Sequence, residues 1–429
     1  MSRLMRTLAP LAVLGLVAAG CSSSPGSEDD GDISGDEVVV IGTWGGDEQE
    51  AFLAMVKPWE DQTGAKVKYV GTRDLNTVLS TGIASGKLPD LAGLPGPGQL
   101  IEYAEAGALV PLDDVLDIDT YVADTAPALV ELGKGTDGQI YGVFIKAAVK
   151  GLIWYNPSLH NYGDNPPSTW DDLLAQGEAN KGNAQALWCV GIESGAASGW
   201  PATDWIEDLV LRTAGPDVYT QWYRGEIKWS DPRIREAFEI YVNDVLANAY
   251  GGRQAVVATN FETAGDPLFA DPPGCVFHHQ ASFITGLGGF KDAQAGTDYD
   301  FFPFPDINPQ YAGGVEGAGD LFGMFNDTPA ARSLMRYLVT AEAQDIWVKR
   351  GGALSANKNA TSYPDEISAR SAEILANAQS FVFDASDLMP QAMNDAFWRG
   401  MVALSSGSAS IDEVLADLDE VQADAYSSS

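Results

Sequence analysis

VVVIGT at residues 38–43 and VKYV at residues 67–70 are short apolar runs that flank a segment with a different periodicity. Residues 49–62 (QEAFLAMVKPWEDQ) repeat their apolar side chains roughly every three to four positions, which is typical of an amphipathic helix. A second helix is predicted at residues 75–83, and a third strand begins near residues 88–91. Strands that alternate with helices predict an α/β domain with a mostly parallel, doubly wound sheet.

The loops that follow these strands are the expected place for a ligand, because doubly wound sheets bind ligands beyond the carboxyl ends of their strands. Trp44 in the first loop is a stacking candidate. Glu48 is a candidate acceptor for ligand hydroxyls, or else a solvated residue in the first turn of a helix. Arg73 and Asp74 after the second strand could bond hydroxyls or form an exposed surface pair. The third such loop is at residues 95–99.

A second α/β lobe is predicted further along the chain. Strands are expected at residues 140–145, 151–155 and 187–190, and helices from residue 170 and at residues 203–213, 218–223 and 232–246. The first two of these strands are separated by the segment at residues 146–150.

Residues 188–205 (WCVGIESGAASGWPATDW) combine three tryptophans with a loop of small residues. A helix is predicted after the loop, with Ser198 as its cap. Trp200 would then lie at the lip of a cleft, with Asp204 on the helix that follows, and both are ligand candidates. Core packing of the tryptophan and an ordinary first-turn acid are the alternatives, and the other two tryptophans of the stretch are assigned to the framework.

Composition and charge limit the class of ligand. The chain has 429 residues, 45% of them hydrophobic and 20% charged, which predicts a globular protein of two or three domains. Its formal net charge of −35 repels nucleic acid and anionic lipid surfaces. A neutral ligand is therefore expected.

The N-terminus carries the pattern of an export signal. Arg3 and Arg6 precede a short apolar run that ends in Ala-Ala-Gly-Cys, which predicts a signal peptide over residues 1–20. This ending resembles a bacterial lipobox, which implies lipidation of Cys21 and anchoring to the outer face of the cell membrane; plain secretion after cleavage elsewhere is the alternative. Residues 21–37 are predicted to be an acidic, flexible tether.

Two further cysteines, Cys189 and Cys275, remain after the leader. An isolated pair in an exported protein predicts a disulfide rather than two free thiols. Such a bond would hold the stretch at residues 188–205 against the segment at residues 277–283.

Motifs for enzymatic or metal chemistry are sparse. The three histidines do not have the spacing of a zinc protease motif, and neither a G-x-S-x-G motif nor a P-loop is present. No metal or other cofactor is expected. With 60 acidic residues, a carboxylate pair is easy to find, so a secreted glycoside hydrolase stays open as the alternative function. Receptors for metals, polyamines or peptides rank lower.

Several motifs together carry a family resemblance. They are LPDL at residues 88–91, DGQIYGV at 137–143, WYNP at 154–157, PSTW at 167–170 and the Gly313-Gly314 turn. In this order the chain resembles the extracellular solute-binding protein family 1 of bacterial ABC sugar importers, over about residues 38–425. The stretch at residues 188–205, with the cysteine before His278-His279-Gln280, is similar to the α-glucoside-binding branch, and residues 390–398 are similar to the end of maltose-binding-type members.

The resemblance implies a type II periplasmic-binding-protein fold with two α/β lobes joined by three crossing segments. The crossings are expected near residues 147–151, 315–320 and 362–383. The N-terminal lobe would comprise residues 38–147 and 317–362, and the C-terminal lobe residues 150–315 and 380–425.

The resemblance also implies further ligand residues. Trp398 would stack on a sugar, or else pack into its helix core. Lys150 in the first crossing would donate hydrogen bonds, with Lys146 as its rival. Glu316 and Asp320 in the second crossing would be ligand contacts or hinge caps. Three more candidates would lie beside the disulfide: His279, Gln280 and Phe283.

The function that follows is a lipid-anchored, monomeric receptor and not an enzyme. It would bind a neutral α-glucoside or small oligosaccharide between its lobes and pass the sugar to ABC permease subunits in the membrane.

Overall fold

The computed structural model describes residues 31–94, 96–163, 165–378 and 380–427. The predicted signal peptide, Cys21 and the first part of the acidic tether lie outside the described residues. Within the described ranges, no helix combines the length and the hydropathy needed to span a membrane.

The described residues form ten strands and sixteen α-helices. The strands are β1 (Glu37–Gly42), β2 (Lys66–Gly71), β3 (Leu91–Leu94), β4 (Gly142–Val149), β5 (Leu152–Tyr155), β6 (Ala186–Cys189), β7 (Cys275–Gln280), β8 (Asp300–Pro303), β9 (Gly314–Met324) and β10 (Ser380–Phe383). The helices are α1 (Gly46–Thr63), α2 (Leu75–Ser85), α3 (Pro97–Glu105), α4 (Ile118–Asp124), α5 (Pro127–Leu132), α6 (Trp170–Asn180), α7 (Trp200–Thr213), α8 (Pro216–Tyr223), α9 (Pro232–Ile240), α10 (Gly252–Ala258), α11 (Pro329–Leu338), α12 (Ala341–Arg350), α13 (Glu366–Asn377), α14 (Ala385–Leu388), α15 (Gln391–Ser406) and α16 (Ile411–Ala425).

The larger sheet has the strand order β10-β9-β3-β1-β2, and β4 also pairs with β9, over residues 317–323 of that strand. Helix α1 covers it with an apolar face that includes Phe52, Met55 and Trp59, as the helical spacing predicts. Gly64 ends α1 in the left-handed region at φ 77°, where its N–H bonds the carbonyl of Glu60. The predicted alternation of strand and helix over β1, α1, β2 and α2 is thus confirmed.

The smaller sheet has the order β6-β7-β5-β8. A cluster of aromatic rings packs against it: Trp188 lies 5.8 Å from Trp170 and 4.9 Å from Trp205, measured between ring centres. Trp188 and Trp205 are therefore framework residues. The predicted disulfide joins the neighbouring strands β6 and β7 through Cys189 and Cys275, whose Cα atoms are 5.4 Å apart.

The strand prediction was right only in part. Strands β1, β2 and β3 pair in parallel as predicted. Both sheets are nevertheless mixed, because β9 runs antiparallel to β3 and β4, and β5 runs antiparallel to β7 and β8. Residues 146–149, expected in a connecting segment, continue β4. Pairing with β9 extends through Val149, which keeps these residues in the strand.

Three segments pass between the sheets. The first is Lys150-Gly151, between β4 and β5, and Gly151 has φ 67°, with no room for a Cβ because Asp208 Oδ2 would lie 2.3 Å from it. The second is the start of β9. The third runs through α13 and β10 into α14. Strand β10 was expected at the beginning of the last part of the C-terminal lobe, but it pairs with β9 in the larger sheet.

Candidate ligand-binding cleft

A cleft of about 350 Å³ lies between the two sheets, beside the three connecting segments. Its lining comprises Thr43, Arg73, Asp74, Leu75, Asn76, Thr77, Lys146, Ala148, Lys150, Ala196, Ala197, Ser198, Trp200, Asp204, Phe283, Ala318, Gly319, Asp320, Asp384, Ser386, Asp387, Asp395, Trp398 and Arg399. Eight of the thirteen predicted ligand residues line it: Arg73, Asp74, Lys150, Trp200, Asp204, Phe283, Asp320 and Trp398.

Two tryptophans form an aromatic wall of the cleft. Trp200 is the first residue of α7, and Trp398 lies in the middle of α15; both are half-buried. The two helices meet at Gly199, where φ is 110° and a Cβ would lie 2.3 Å from the carbonyl oxygen of Trp398. Glycine is required there because both the backbone conformation and the close approach exclude a side chain.

The predicted cap of α7 was wrong. Gly199 occupies the cap position without a side-chain hydrogen bond. Ser198 is used inside the preceding loop, where its Oγ donates to the carbonyl of Gly195 at 2.7 Å and accepts from the N–H of Ser194 at 2.9 Å. The small residues of the loop thus fold on themselves and present Trp200 to the cleft.

The floor of the cleft is a buried charge cluster centred on Lys150. Its ammonium lies 2.7 Å from Asp204 Oδ2, 2.9 Å from Asp384 Oδ2 and 5.0 Å from the centre of the Trp200 ring. Burial disfavours the lysine's charge, but the two aspartates outweigh burial and raise the pKa of Lys150 well above its usual value. Lys150 thus ties the first connecting segment to α7 and to the start of α14.

The two aspartates respond differently to this shared lysine. Burial raises the pKa of Asp204 to about 7, against the attraction of Lys150. The pKa of Asp384 is lowered: burial opposes its charge, but Lys150 and the hydrogen bonds from Lys150, Glu207 and Ser386 prevail. At neutral pH, Asp384 is the firmly ionised partner of Lys150, and Asp204 is close to its titration point.

Glu207 supports the floor from behind. Its carboxyl oxygens accept from the N–H groups of Ala385 at 2.8 Å and Ser386 at 3.4 Å, at the start of α14. Oxygens of Asp204, Glu207 and Asp384 lie within 4.8 Å of one another, a spacing that could hold a metal ion. The Lys150 ammonium, bonded to Asp204 and Asp384, already supplies the cation at this place.

A second lysine of the lining, Lys146, has a different environment. Its ammonium lies 2.5 Å from Glu48 Oε1 and 3.7 Å from Asp320 Oδ2. It also lies 5.0 Å from the ring centre of Trp347 and 5.3 Å from that of Phe283. Lys150 and Lys146, the two candidates predicted for the first crossing, therefore both line the cleft. Each lysine pairs with its own set of acidic side chains.

Five predicted residues lie outside the lining. Glu48 is turned toward Lys146 and a smaller neighbouring cavity. Trp44 is 3% exposed in the core of the first lobe, packed among other aromatic rings. Glu316 is buried behind the floor, and its two side-chain oxygens have no hydrogen-bond partner among the described residues.

The other two, His279 and Gln280, are buried in β7. The His279 ring stacks on Trp205 at 4.1 Å, and its Nε2 lies 2.8 Å from Asp208 Oδ2. The Gln280 side-chain oxygen accepts from the N–H of Ala281 at 2.8 Å. The disulfide holds β7 beside residues 188–205 as expected, but the side chains of His279 and Gln280 are buried in the core and do not face the cleft.

The sequence interpretation missed the acids after β10. Asp384 and Asp387 follow this strand, just beyond the predicted third crossing and within the range assigned to the C-terminal lobe. The rule that ligands lie beyond the carboxyl ends of strands applies to these acids only once β10 is known to be a strand of the larger sheet. Asp395 and Arg399 were also missed, although they lie one helical turn before and one residue after Trp398.

Comparisons with known proteins agree with this architecture. The profile of the bacterial extracellular solute-binding proteins matches residues 45–345. The osmoprotective compounds-binding protein GgtB of Synechocystis sp. is 37% identical, over 92% of this chain and 94% of that protein. The alpha-glucosides-binding periplasmic protein AglE of Rhizobium meliloti is 35% identical, over 89% of this chain and 86% of that protein.

Solved structures share the two-lobed fold. The bacterial solute receptor AcbH, described as preferring β-D-galactopyranose, superposes with a TM-score of 0.80 at 19% identity, covering 92% of this chain and all of that one. Maltose-bound MalE3 of T. maritima superposes with a TM-score of 0.71 at 17% identity, covering 90% of this chain and 99% of that one.

The glycoside hydrolase alternative is wrong, because the relatives and structural neighbours are binding proteins and not enzymes. The function class is that of a solute-binding protein of ABC sugar importers. The chain belongs to the family of bacterial extracellular solute-binding proteins.

Proposed function

We propose that the chain captures a neutral α-glucoside, or a small oligosaccharide built from one, in the cleft between its lobes and delivers it to the permease subunits of an ABC importer. The observation that carries the proposal is the pairing of an indole wall, Trp200 and Trp398, with charged hydrogen-bonding groups in the same lining.

This combination suits the two kinds of surface that a sugar offers. The C–H faces of a pyranose ring pack on aromatic rings, and its hydroxyls both donate and accept hydrogen bonds. Asp74, Asp387 and Asp395 would accept from hydroxyls, and Arg399 and Lys150 would donate to them. A neutral ligand also fits the net charge of −35, which would oppose the entry of an anion.

The names of the relatives support a small neutral solute. AglE is named for α-glucosides, and GgtB for osmoprotective compounds. The first name states the proposed ligand class itself, and a compact polyhydroxylated ligand is compatible with the second.

Capture requires no covalent chemistry. A ligand that contacts both lobes favours the closed arrangement by its differential affinity for it, and the closed form would then be the one that the permease recognises. We further propose a monomer that is anchored to the outer face of the cell membrane through lipidated Cys21.

Isothermal titration of the mature protein tests the proposed ligand class. Maltose, trehalose, sucrose and maltodextrins form the panel, and cellobiose serves as the β-linked control. At least one α-glucoside is expected to bind, and to bind more tightly than cellobiose. Heat with none of the α-glucosides, or equal binding of the β-linked control, would contradict the proposal.

The anchor has a separate test. Full-length protein is expected to fractionate with membranes and to incorporate radiolabelled palmitate, whereas Cys21→Ser is expected to do neither. Unchanged membrane association of the Cys21→Ser variant would contradict the lipid anchor without affecting the ligand proposal.

A further inference from the structure

A short stretch of the first lobe, residues 73–77, lines one edge of the cleft, and we call it the rim segment. Arg73 Nη2 donates to Glu262 Oε1 at 3.4 Å, and the Arg73 guanidinium carbon lies 4.9 Å from the centre of the Phe261 ring. Asn76 Nδ2 donates to Asp395 Oδ1 at 3.3 Å. The rim segment therefore contacts the second lobe at two separate elements, the loop after α10 and helix α15.

The loop after α10, which contacts Arg73, is stabilised by hydrogen bonds within the second lobe. Asn260 Oδ1 accepts from the N–H of Glu262 at 2.9 Å, and Asn260 Nδ2 donates to Glu193 Oε2 at 2.7 Å. Glu193 Oε1 accepts in turn from the N–H of Gly195 at 2.7 Å. A Cβ on Gly195 would lie 3.4 Å from the Arg73 Cβ, so the arginine rests directly on this loop.

The bridge formed by Arg73 also adjoins the aromatic wall. Phe261, which lies under the guanidinium, meets Trp200 edge to face with the ring centres 5.0 Å apart. Trp200 and Arg73 both line the cleft. A ligand stacked on Trp200 would thus lie next to the place where Arg73 crosses between the lobes.

From this geometry we infer that the cleft encloses its ligand whole, that the ligand has one or two sugar rings, and that Arg73 sets this length limit. The inference rests on the proposed α-glucoside function. The cleft volume of about 350 Å³ is near the lower end of the range of roughly 300–1,000 Å³ found for ligand pockets. A longer chain would have to extend past the rim segment, where it would separate Arg73 from Glu262 and Phe261 and so break the ion pair and the cation–π contact that join the two lobes there.

Titration calorimetry with ligands of increasing length tests the limit. The probes are methyl α-D-glucopyranoside, maltose, maltotriose and maltotetraose. We expect binding of one of the first two, and affinity for the two longer sugars at least about tenfold weaker. Equal affinity across the series would overturn the length limit alone. If no member of the series binds, and neither trehalose nor sucrose binds, the α-glucoside function is overturned, and the limit with it.

Variants test the role of Arg73 itself. In Arg73→Ala, the affinity ratio of maltotriose to maltose is expected to rise by about tenfold. Lys291→Ala is the matched control, because Lys291 also makes an ion pair between the lobes, 2.6 Å from Asp47 Oδ2, but does not line the cleft. This control is expected to keep the wild-type ratio. Equal weakening of both sugars in Arg73→Ala would make Arg73 an ordinary ligand contact and overturn its role in setting length; thermal melting of each variant verifies folding.

Discussion

Lys150 donates a hydrogen bond of 2.7 Å to Asp204, joining the first connection between the lobes to the helix that begins at Trp200. Both side chains are buried, and the same ammonium lies 5.0 Å from the centre of the Trp200 ring. A charge and an aromatic face are thus held together at one side of the cleft. Sugar affinity should depend on this arrangement, and the protein's stability should depend on it as well.

Replacing Trp200 by alanine is expected to weaken sugar binding by about tenfold or more, because stacked aromatic contacts contribute roughly 0.5–1.5 kcal/mol beyond the area that they bury. Titration calorimetry measures the affinity. Trp59→Phe is the control, since Trp59 is 3% exposed in the core of the first lobe and outside the cleft lining. That control should lower the melting temperature and leave the affinity unchanged. Normal affinity in Trp200→Ala, with a normal melting curve, would remove Trp200 from the site.

The protonation of Asp204 predicts a dependence of stability on pH. Burial raises its pKa from 3.8 to about 7, so between these values the folded state binds more protons at this site than the unfolded state does. The contribution of Asp204 to the free energy of unfolding therefore falls as the pH rises through this window and is level above it. Asp204→Asn abolishes this contribution.

The measurement is a comparison of thermal melting at about pH 4.5 and about pH 8. The melting temperature of Asp204→Asn relative to wild type is expected to rise by several degrees between the two conditions, whichever protein is the more stable at low pH. A constant difference across this range would contradict the assignment of the proton to Asp204.

The contact between α7 and α15 should be intolerant of any side chain at Gly199. Gly199→Ala combines the positive φ of 110° with an approach of 2.3 Å to the Trp398 carbonyl oxygen, so we expect a loss of more than about 1 kcal/mol in the free energy of unfolding. Gly138→Ala is the matched control, because its φ is 83° but its Cβ would meet nothing within 4 Å. Denaturant unfolding should show the larger loss at Gly199, and equal losses would refute the steric role of Trp398.

Removal of the disulfide is expected to destabilise the second lobe. The double variant Cys189→Ser, Cys275→Ser removes a covalent bond between residues 86 positions apart. Loss of a native disulfide typically lowers the free energy of unfolding by about 2–5 kcal/mol. Denaturant unfolding with and without a reductant provides the measurement. Reductant should shift wild type toward the double variant and leave the double variant unchanged. A variant as stable as oxidised wild type would show that packing around β6 and β7 is sufficient without the bond.

The features that were predictable from sequence are those set by local pattern. The helical spacing of Phe52, Met55 and Trp59 determines which face of α1 is buried, and the elements of the first lobe followed from such patterns. The disulfide was predictable for a different reason: only two cysteines, Cys189 and Cys275, remain once Cys21 is assigned to lipidation.

The cleft residues were harder to predict because a loop position does not determine which way its side chain points. Trp44 follows β1 as expected, but its ring packs against Phe52 and Trp347 instead of facing the other lobe. The side chain of His279 points to the core face of β7, where its ring stacks on Trp205. Asp387 enters the lining only because a distant segment returns to the larger sheet, a pairing between β9 and β10 that leaves no local pattern.

The pairing of β4 with β9 has a mechanical consequence. The two strands form an antiparallel ribbon from Gly142 to Val149, and in its register Lys146 lies directly opposite Asp320. Because β9 also pairs with β3 and β10, both strands belong to the larger sheet, and its hydrogen bonds fix the spacing of Lys146 and Asp320. The spacing of these two side chains therefore does not depend on the position of the second lobe. This part of the cleft is therefore preassembled before a sugar arrives, and its order costs little at the moment of capture.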